Sequence, residues 1–216
     1  MFREKLLALT NEFCWLSDDQ ISKLEAHYEL LIRWNRRLNL TRIEGEDDAA
    51  ERHYAESLFL GSKLPEGELS IVDVGSGAGF PGIPVAVLRP ECRITLLECH
   101  QRKAVFLKES VRSLSNVRVI AKRAEEVRDQ FDWAISRAVS MRDLASYSTH
   151  LARRCAVLGT EWSNEVAGVS TASQSASVFS EPEVIAMPWG FRRKLVMFHV
   201  EHLLGGVSRE TPCDRI

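Results

Sequence analysis

Four residues at alternate positions frame the chemistry open to this chain: Asp73-x-Gly75-x-Gly77-x-Gly79. Glycines there admit positive φ and a close approach of backbone to ligand, and a helix that follows offers free N–H groups. The dinucleotide fingerprint G-x-G-x-x-G would need glycine at position 80, where Phe80 stands. A carboxylate at position 73 would repel a pyrophosphate, but it can bind the amino group of a cationic amino-acid ligand. A second acid, Glu98, comes 19 residues after Gly79, where an acid reaches a ribose hydroxyl pair. Together the two acids and the glycines describe a nucleoside site.

These residues need a strand–turn–helix to hold them. Ile71 to Val74 is a short β-branched run, the pattern of a buried parallel strand, and Ile83 to Leu88 reads as the helix after the glycines. The pattern then alternates as a βαβ fold should. Strands are expected at Arg93–Glu98, Asn116–Ala121, Phe131–Ser136 and, short, at Cys155–Leu158. Helices are expected over His100–Leu114 and about Met141–Leu151, and closing strands at Val184–Met187 and Lys194–Val200. The first 65 residues read as helical, with Ser17 as an N-cap and Ile21, Leu24, Tyr28, Leu31, Trp34 and Leu38 on one face. A further helix starts at Asp47-Asp48 and runs to about Leu60, and Gly61 to Gly67 reads as a linker. Residues 161–180 are small and polar and read as a loop or weak helix. The resulting organisation is a helical extension over 1–65, an α/β domain over 66–204 and a loose tail over 205–216.

Composition narrows the class. With 45% hydrophobic and 27% charged residues the chain is an ordinary globular one, and no apolar run of membrane-spanning length occurs. A cytoplasmic protein is expected from the scattered, odd number of cysteines (14, 92, 99, 155, 213) and the charged Met1–Leu9 segment. A net charge of −2 argues against a sequence-independent nucleic-acid coat, yet leaves room for structured RNA if basic groups share one face. Arg33, Arg36, Arg37 and Arg52 are the candidates for such a face. No metal is expected: His199-x-x-His202 lacks a third ligand, and Cys92, Cys99 and His100 have no zinc spacing.

The Asp73–Gly79 stretch resembles the first motif of S-adenosylmethionine-dependent methyltransferases of Rossmann-like fold. The usual tools for harder methyl acceptors are missing. Thr211-Pro-Cys213 lies in the tail, a poor place for the nucleophile of pyrimidine-C5 methylation, and there is no Asn-Pro-Pro-Tyr-like motif for an exocyclic amine. Guanine N7 has an in-plane lone pair and no proton, so its methylation needs positioning rather than a base or a covalent intermediate. The absences are compatible with that target.

Most of the chain, from Leu31 to Val200, is similar to the small-subunit ribosomal RNA guanine-N7 methyltransferases, the glucose-inhibited division protein B family. The blocks are Trp34-Asn35, Asn39-Leu40-Thr41, Arg52-His53 with Ser57, Val72 to Pro84, Leu97-Glu98, Arg102-Lys103, Arg123 to Glu126, Ser136-Arg137-Ala138, and Arg193 to Val196. The resemblance implies transfer of methyl from S-adenosylmethionine to a guanine N7 of 16S rRNA; a monomer acting on a small subunit or assembly intermediate is expected. It implies cofactor contacts from Gly75 and Phe80 (with Asp73, Gly77 and Gly79 of the same turn), from Glu98 to ribose, and from Ala124-Glu125 to adenine. Arg137 falls at the cofactor and target pocket, and Arg123 and Arg193 at RNA or the active site. Two departures stand out: Val157-Leu-Gly-Thr160 where the family has a Leu-Lys-Gly-like strand end, and Glu56 where it has Asp. Two rival readings remain, an RNA- or ribosome-binding module with a vestigial cofactor site and an NAD-dependent oxidoreductase.

Overall fold

Alternate residues of each central strand enter two separate apolar clusters, which is why the strands read as continuous hydrophobic runs. Ile71, Ile94, Leu96, Trp133, Ile135, Ala156 and Leu158 face one cluster. Val72, Val74, Leu97, Ala134, Cys155 and Val157 face the other. Both faces of the sheet are therefore covered, as a parallel sheet requires. The structure, a computed structural model, describes residues 1–42, 45–137, 150–159 and 182–199, with side chains at 190–192 left aside.

The strands are β1 (Ser70–Val74), β2 (Arg93–Leu97), β3 (Val117–Ile120), β4 (Trp133–Arg137), β5 (Arg154–Gly159), β6 (Glu183–Met187) and β7 (Gly190–His199). They form one sheet in the order β3-β2-β1-β4-β5-β7-β6. The first five pair in parallel, while β7 runs antiparallel to both β5 and β6. Each expected strand is present within one to four residues of its expected ends. The strand order reverses between β1 and β4, so the crevice at their carboxyl ends is where an open α/β sheet binds ligands.

Helices α1 (Phe2–Thr10), α2 (Asp18–Leu38), α3 (Glu46–Ala49) and α4 (Glu56–Lys63) precede the sheet, and α5 (Gly82–Leu88) and α6 (Gln101–Ser110) follow β1 and β2. Ser17 caps α2 in a capping box: its hydroxyl accepts from the Gln20 N–H at 3.2 Å while Gln20 Oε1 accepts from the Ser17 N–H at 2.9 Å. Gln20 Nε2 also donates to the Val87 carbonyl at 2.8 Å, fixing the start of α2 beside the end of α5. Leu6, Leu24, Leu31, Tyr54 and Leu58 lie in the same cluster as Ile71 and Ile94, so the N-terminal helices and the sheet share one core.

Two expectations need correction. Gly61 is not linker but lies within α4, where an added Cβ would sit 3.1 Å from Leu88 Cδ2, so a small residue lets α4 close on α5. The expected helix from Asp47 is interrupted: Ala50–Ala55 is a π-helical stretch between α3 and α4. Such stretches occur mostly as single-turn insertions, often at functional sites. The expected helix at Met141–Leu151, apart from its last two residues, the segment 161–180 and the tail 205–216 lie outside the described residues.

Candidate active site

The carboxyl ends of β1, β2, β3 and β4 carry, in turn, the glycine turn, Glu98, the Ala124–Glu126 turn and Arg137. In the glycine turn Gly75, Gly77 and Gly79 have φ of 74°, 56° and 92°, a region side chains rarely enter. Gly79 is doubly constrained, because an added Cβ would lie 2.4 Å from Ile83 Cδ1. Asp73 is completely buried below the turn. Its Oδ2 accepts from the Gly82 N–H at 2.9 Å, and its Oδ1 has no partner among the described residues. Burial raises its pKa to about 7.

Glu98 braces the turn from the next strand. Its Oε2 accepts from the Gly77 N–H at 2.9 Å and its Oε1 from the His100 N–H at 2.8 Å. Each oxygen keeps a second lone pair for a ligand hydroxyl. Glu98, Cys99 and His100 also bring one potential ligand atom each within 4.8 Å of one another. They are sequence neighbours, and both Glu98 oxygens already serve backbone N–H groups, which makes them a poor metal cage.

The π-helical stretch delivers a histidine to the same place. The His53 ring stacks on Phe80, centroids 4.5 Å apart and planes 11° from parallel. Its Nδ1 accepts from Arg137 Nη1 at 2.6 Å, which leaves Nε2 to carry the proton and donate to Thr41 Oγ1 at 2.7 Å. Burial, then the Arg137 and Arg193 charges, lower its pKa to about 3, so the ring is neutral. One turn on, Glu56 is almost fully buried and serves two arginines: its Oε2 lies 2.7 Å from Arg193 Nη1 and 3.6 Å from Arg137 Nη2. Arg137 is itself mostly buried, which lowers its pKa to about 10 while Glu56 pulls it back up.

Of the sequence-derived site residues, the structure joins Arg137 and Arg193 through one carboxylate and gathers Asp73, Gly75, Gly77, Gly79, Phe80 and Glu98 around one turn. Ala124 is buried and Glu125 exposed at the end of β3. Arg123 begins that turn, is exposed, and shares no hydrogen bond or ion pair with Arg137 or Arg193 among the described residues. Sequence reasoning gave no role to His53 or Glu56. Nothing local announces them, since Arg137 and Arg193 lie 84 and 137 residues further along.

This sheet order with its glycine turn is a Rossmann-like fold of the kind that solved methyltransferases share. A SAM dependent methyltransferase from Aquifex aeolicus superposes with a TM-score of 0.54 over 72% of this chain and 93% of that one, at 14% identity. The particular family follows from sequence. The family model described as GidB, rRNA small subunit methyltransferase G, matches residues 20–167. The ribosomal RNA small subunit methyltransferase G of Roseiflexus sp. (strain RS-1) is 38% identical over 170 residues, 73% of each chain. Its namesake from Pelotomaculum thermopropionicum is 39% identical over 142 residues, 61% of this chain and 59% of that one. The chain belongs to the rRNA small subunit methyltransferase G family.

Proposed function

We propose that this protein transfers a methyl group from S-adenosylmethionine to N7 of a guanine in 16S rRNA, acting as a cytoplasmic monomer on a small subunit or its assembly intermediate. Two features of the site fit that cofactor. At Gly77 an added Cβ would enter space whose nearest atom is the Gly75 carbonyl oxygen at 3.7 Å, and the buried Asp73 Oδ1 is an acceptor awaiting a donor. Gly75, Gly77, Gly79 and Phe80 would hold the amino-acid end, Glu98 the ribose, and Ala124-Glu125 the adenine. When bound, the cofactor supplies an electrophilic sulfonium methyl group.

The observation that carries the reading is Arg137, held at the mouth of the glycine turn by a neutral imidazole and a buried carboxylate. Guanine N7 has no proton to remove, and His53 has none of a base's freedom: Arg137 and Thr41 occupy both its nitrogens. The residues therefore orient rather than exchange protons. A guanidinium has five N–H donors in a fixed fork. With one on His53 and one toward Glu56, Arg137 keeps others for guanine or cofactor acceptors. The stacked Phe80–His53 pair sets an aromatic wall beside the glycine turn. Because the target base must leave its stack to reach such a pocket, a loop of rRNA is the fitting substrate.

The test is methyl transfer from labelled S-adenosylmethionine to unmodified small subunits, with binding of S-adenosylmethionine and NAD measured alongside. Label in 16S rRNA and no NAD binding are the expected results. Cofactor binding with no label in RNA would favour the vestigial module, for which the absence of lysine beside Leu158 is the specific observation.

A further inference from the structure

Helix α2 ends in a basic segment that the site described above does not use. Residues 33–42 read Arg-Trp-Asn-Arg-Arg-Leu-Asn-Leu-Thr-Arg, four arginines and no acid, in a chain whose net charge is −2. Arg33, Arg36, Arg37 and Arg42 are exposed, and none is paired with a carboxylate among the described residues. Arg52 differs, since it pairs with Asp48 at 3.5 Å. Arg33, Trp34, Arg36, Arg37 and Leu38 line a cleft of about 510 Å³. Trp34 is half-buried, one side against Phe106 of α6, with ring centroids 5.7 Å apart.

A helix C-terminus favours cations, which accounts for Arg36 and Arg37 in the last turn. It does not account for Arg33, a full turn earlier, for Arg42 beyond the cap, or for the cleft they flank.

The segment is tied to the active site by hydrogen bonds. Asn39 closes α2 in the left-handed conformation, φ 48°. Asn35 then pins the returning chain: its Nδ2 donates to the Thr41 carbonyl at 3.0 Å and its Oδ1 accepts from the Thr41 N–H at 2.9 Å. Thr41 in turn holds His53, and His53 holds Arg137. Three peptide units separate Leu38 from Thr41, so the lip of the cleft lies within about 11 Å of the residue that touches His53.

We infer that this cleft is a second RNA contact, seating the single-stranded rRNA beside the target guanine, with Arg33, Arg36 and Arg37 on successive phosphates and Trp34 beneath a base or ribose. The inference rests on the proposed rRNA substrate and adds where the flanking strand lies. Guanidiniums without a carboxylate partner among the described residues complement a phosphodiester backbone, and the exposed part of the Trp34 indole between them suits a base face. Holding the flanking strand here leaves the target base free to enter the pocket beside Arg137.

The experiment measures affinity for protein-free unmodified 16S rRNA and for unmodified small subunits as a function of salt. It compares the wild type, the triple variant Arg33→Ala/Arg36→Ala/Arg37→Ala and the triple lysine variant at the same positions. Each single-strand phosphate contact contributes about 0.7 to the slope of log affinity against log salt. Loss of three should flatten the slope by about 2, with cofactor affinity unchanged and the lysine variant retaining the wild-type slope. An unchanged slope in the alanine variant overturns the inference, as does absence of salt-dependent binding by the wild type. Normal binding of free rRNA with loss only on subunits overturns it too, assigning the arginines to an acidic ribosomal protein. Wild-type binding without methyl transfer would sink the proposed reaction instead and leave the surface standing.

Discussion

Replacing Glu56 by Gln should damage both the fold and the site, because one buried carboxylate neutralises two arginines. The Glu56 side chain is 2% exposed, that of Arg137 13% and that of Arg193 28%. Gln keeps the shape and can still accept a hydrogen bond, but it leaves the guanidiniums facing each other without an anion. Breaking a buried pair by removing one partner costs about 3–5 kcal/mol. Arg193 can turn partly to water, which places this case near the lower bound, about 3 kcal/mol. For a domain of this size each kcal/mol lowers Tm by about 2–4 °C, so a fall of about 6–12 °C is expected in thermal unfolding. Glu56→Asp keeps the charge on a shorter arm and should recover most of that loss. Methyl transfer should fall further than stability explains, since Arg137 loses one of its two anchors. A Tm within 2 °C of wild type for Glu56→Gln would refute the idea that this carboxylate holds the two arginines in place.

Three further outcomes follow from the geometry. Gly79→Ala combines φ of 92° with a Cβ at 2.4 Å from Ile83 Cδ1; strain and overpacking together should cost about 2–4 kcal/mol in urea unfolding and weaken cofactor binding. Asp73 has a folded pKa of about 7, above its unfolded value, so its contribution to stability is complete below about pH 4 and lost as pH rises through 7. Buried His27 and His53, with pKa lowered to about 4 and about 3, act in the opposite sense, losing stability as pH falls below 6.5. Asp73→Asn should therefore gain on wild type as pH climbs from 4 to 7, and a flat difference in Tm across that range would contradict the burial argument. At Gly159 an added Cβ meets nothing within 4 Å among the described residues, so Tm should hold for Gly159→Lys, and a lysine at the end of β5 should raise the rate on small subunits; an unchanged rate would show that lysine to be dispensable.

What could be read from the sequence was local. Ser17, Gln20 and the 3–4 spacing from Ile21 to Leu38 specify α2 within a few turns, and Ile71–Val74 with three glycines specifies a strand and its turn. Glu98 was legible because the βα unit fixes its distance from that turn. The π-helical stretch was not, since its residues, Ala-Glu-Arg-His-Tyr-Ala, carry no pattern distinguishing it from the α-helix on either side. Glu56 reads as an ordinary surface acid on a helix until Arg193 arrives from the last strand to meet it. The ion pair of Arg52 with Asp48, one turn back, was not legible because Asp48 reads as a helix start. Gly61 looked like linker because a helix packed this closely on α5 cannot be seen from either helix alone.

The central claim is tested most directly by digesting the labelled 16S rRNA to nucleosides and mapping the methylated position. All label in N7-methylguanosine at a single site is the predicted result. Label in another nucleoside, or spread over many guanines, would contradict an active site built to position one N7 rather than to activate an acceptor.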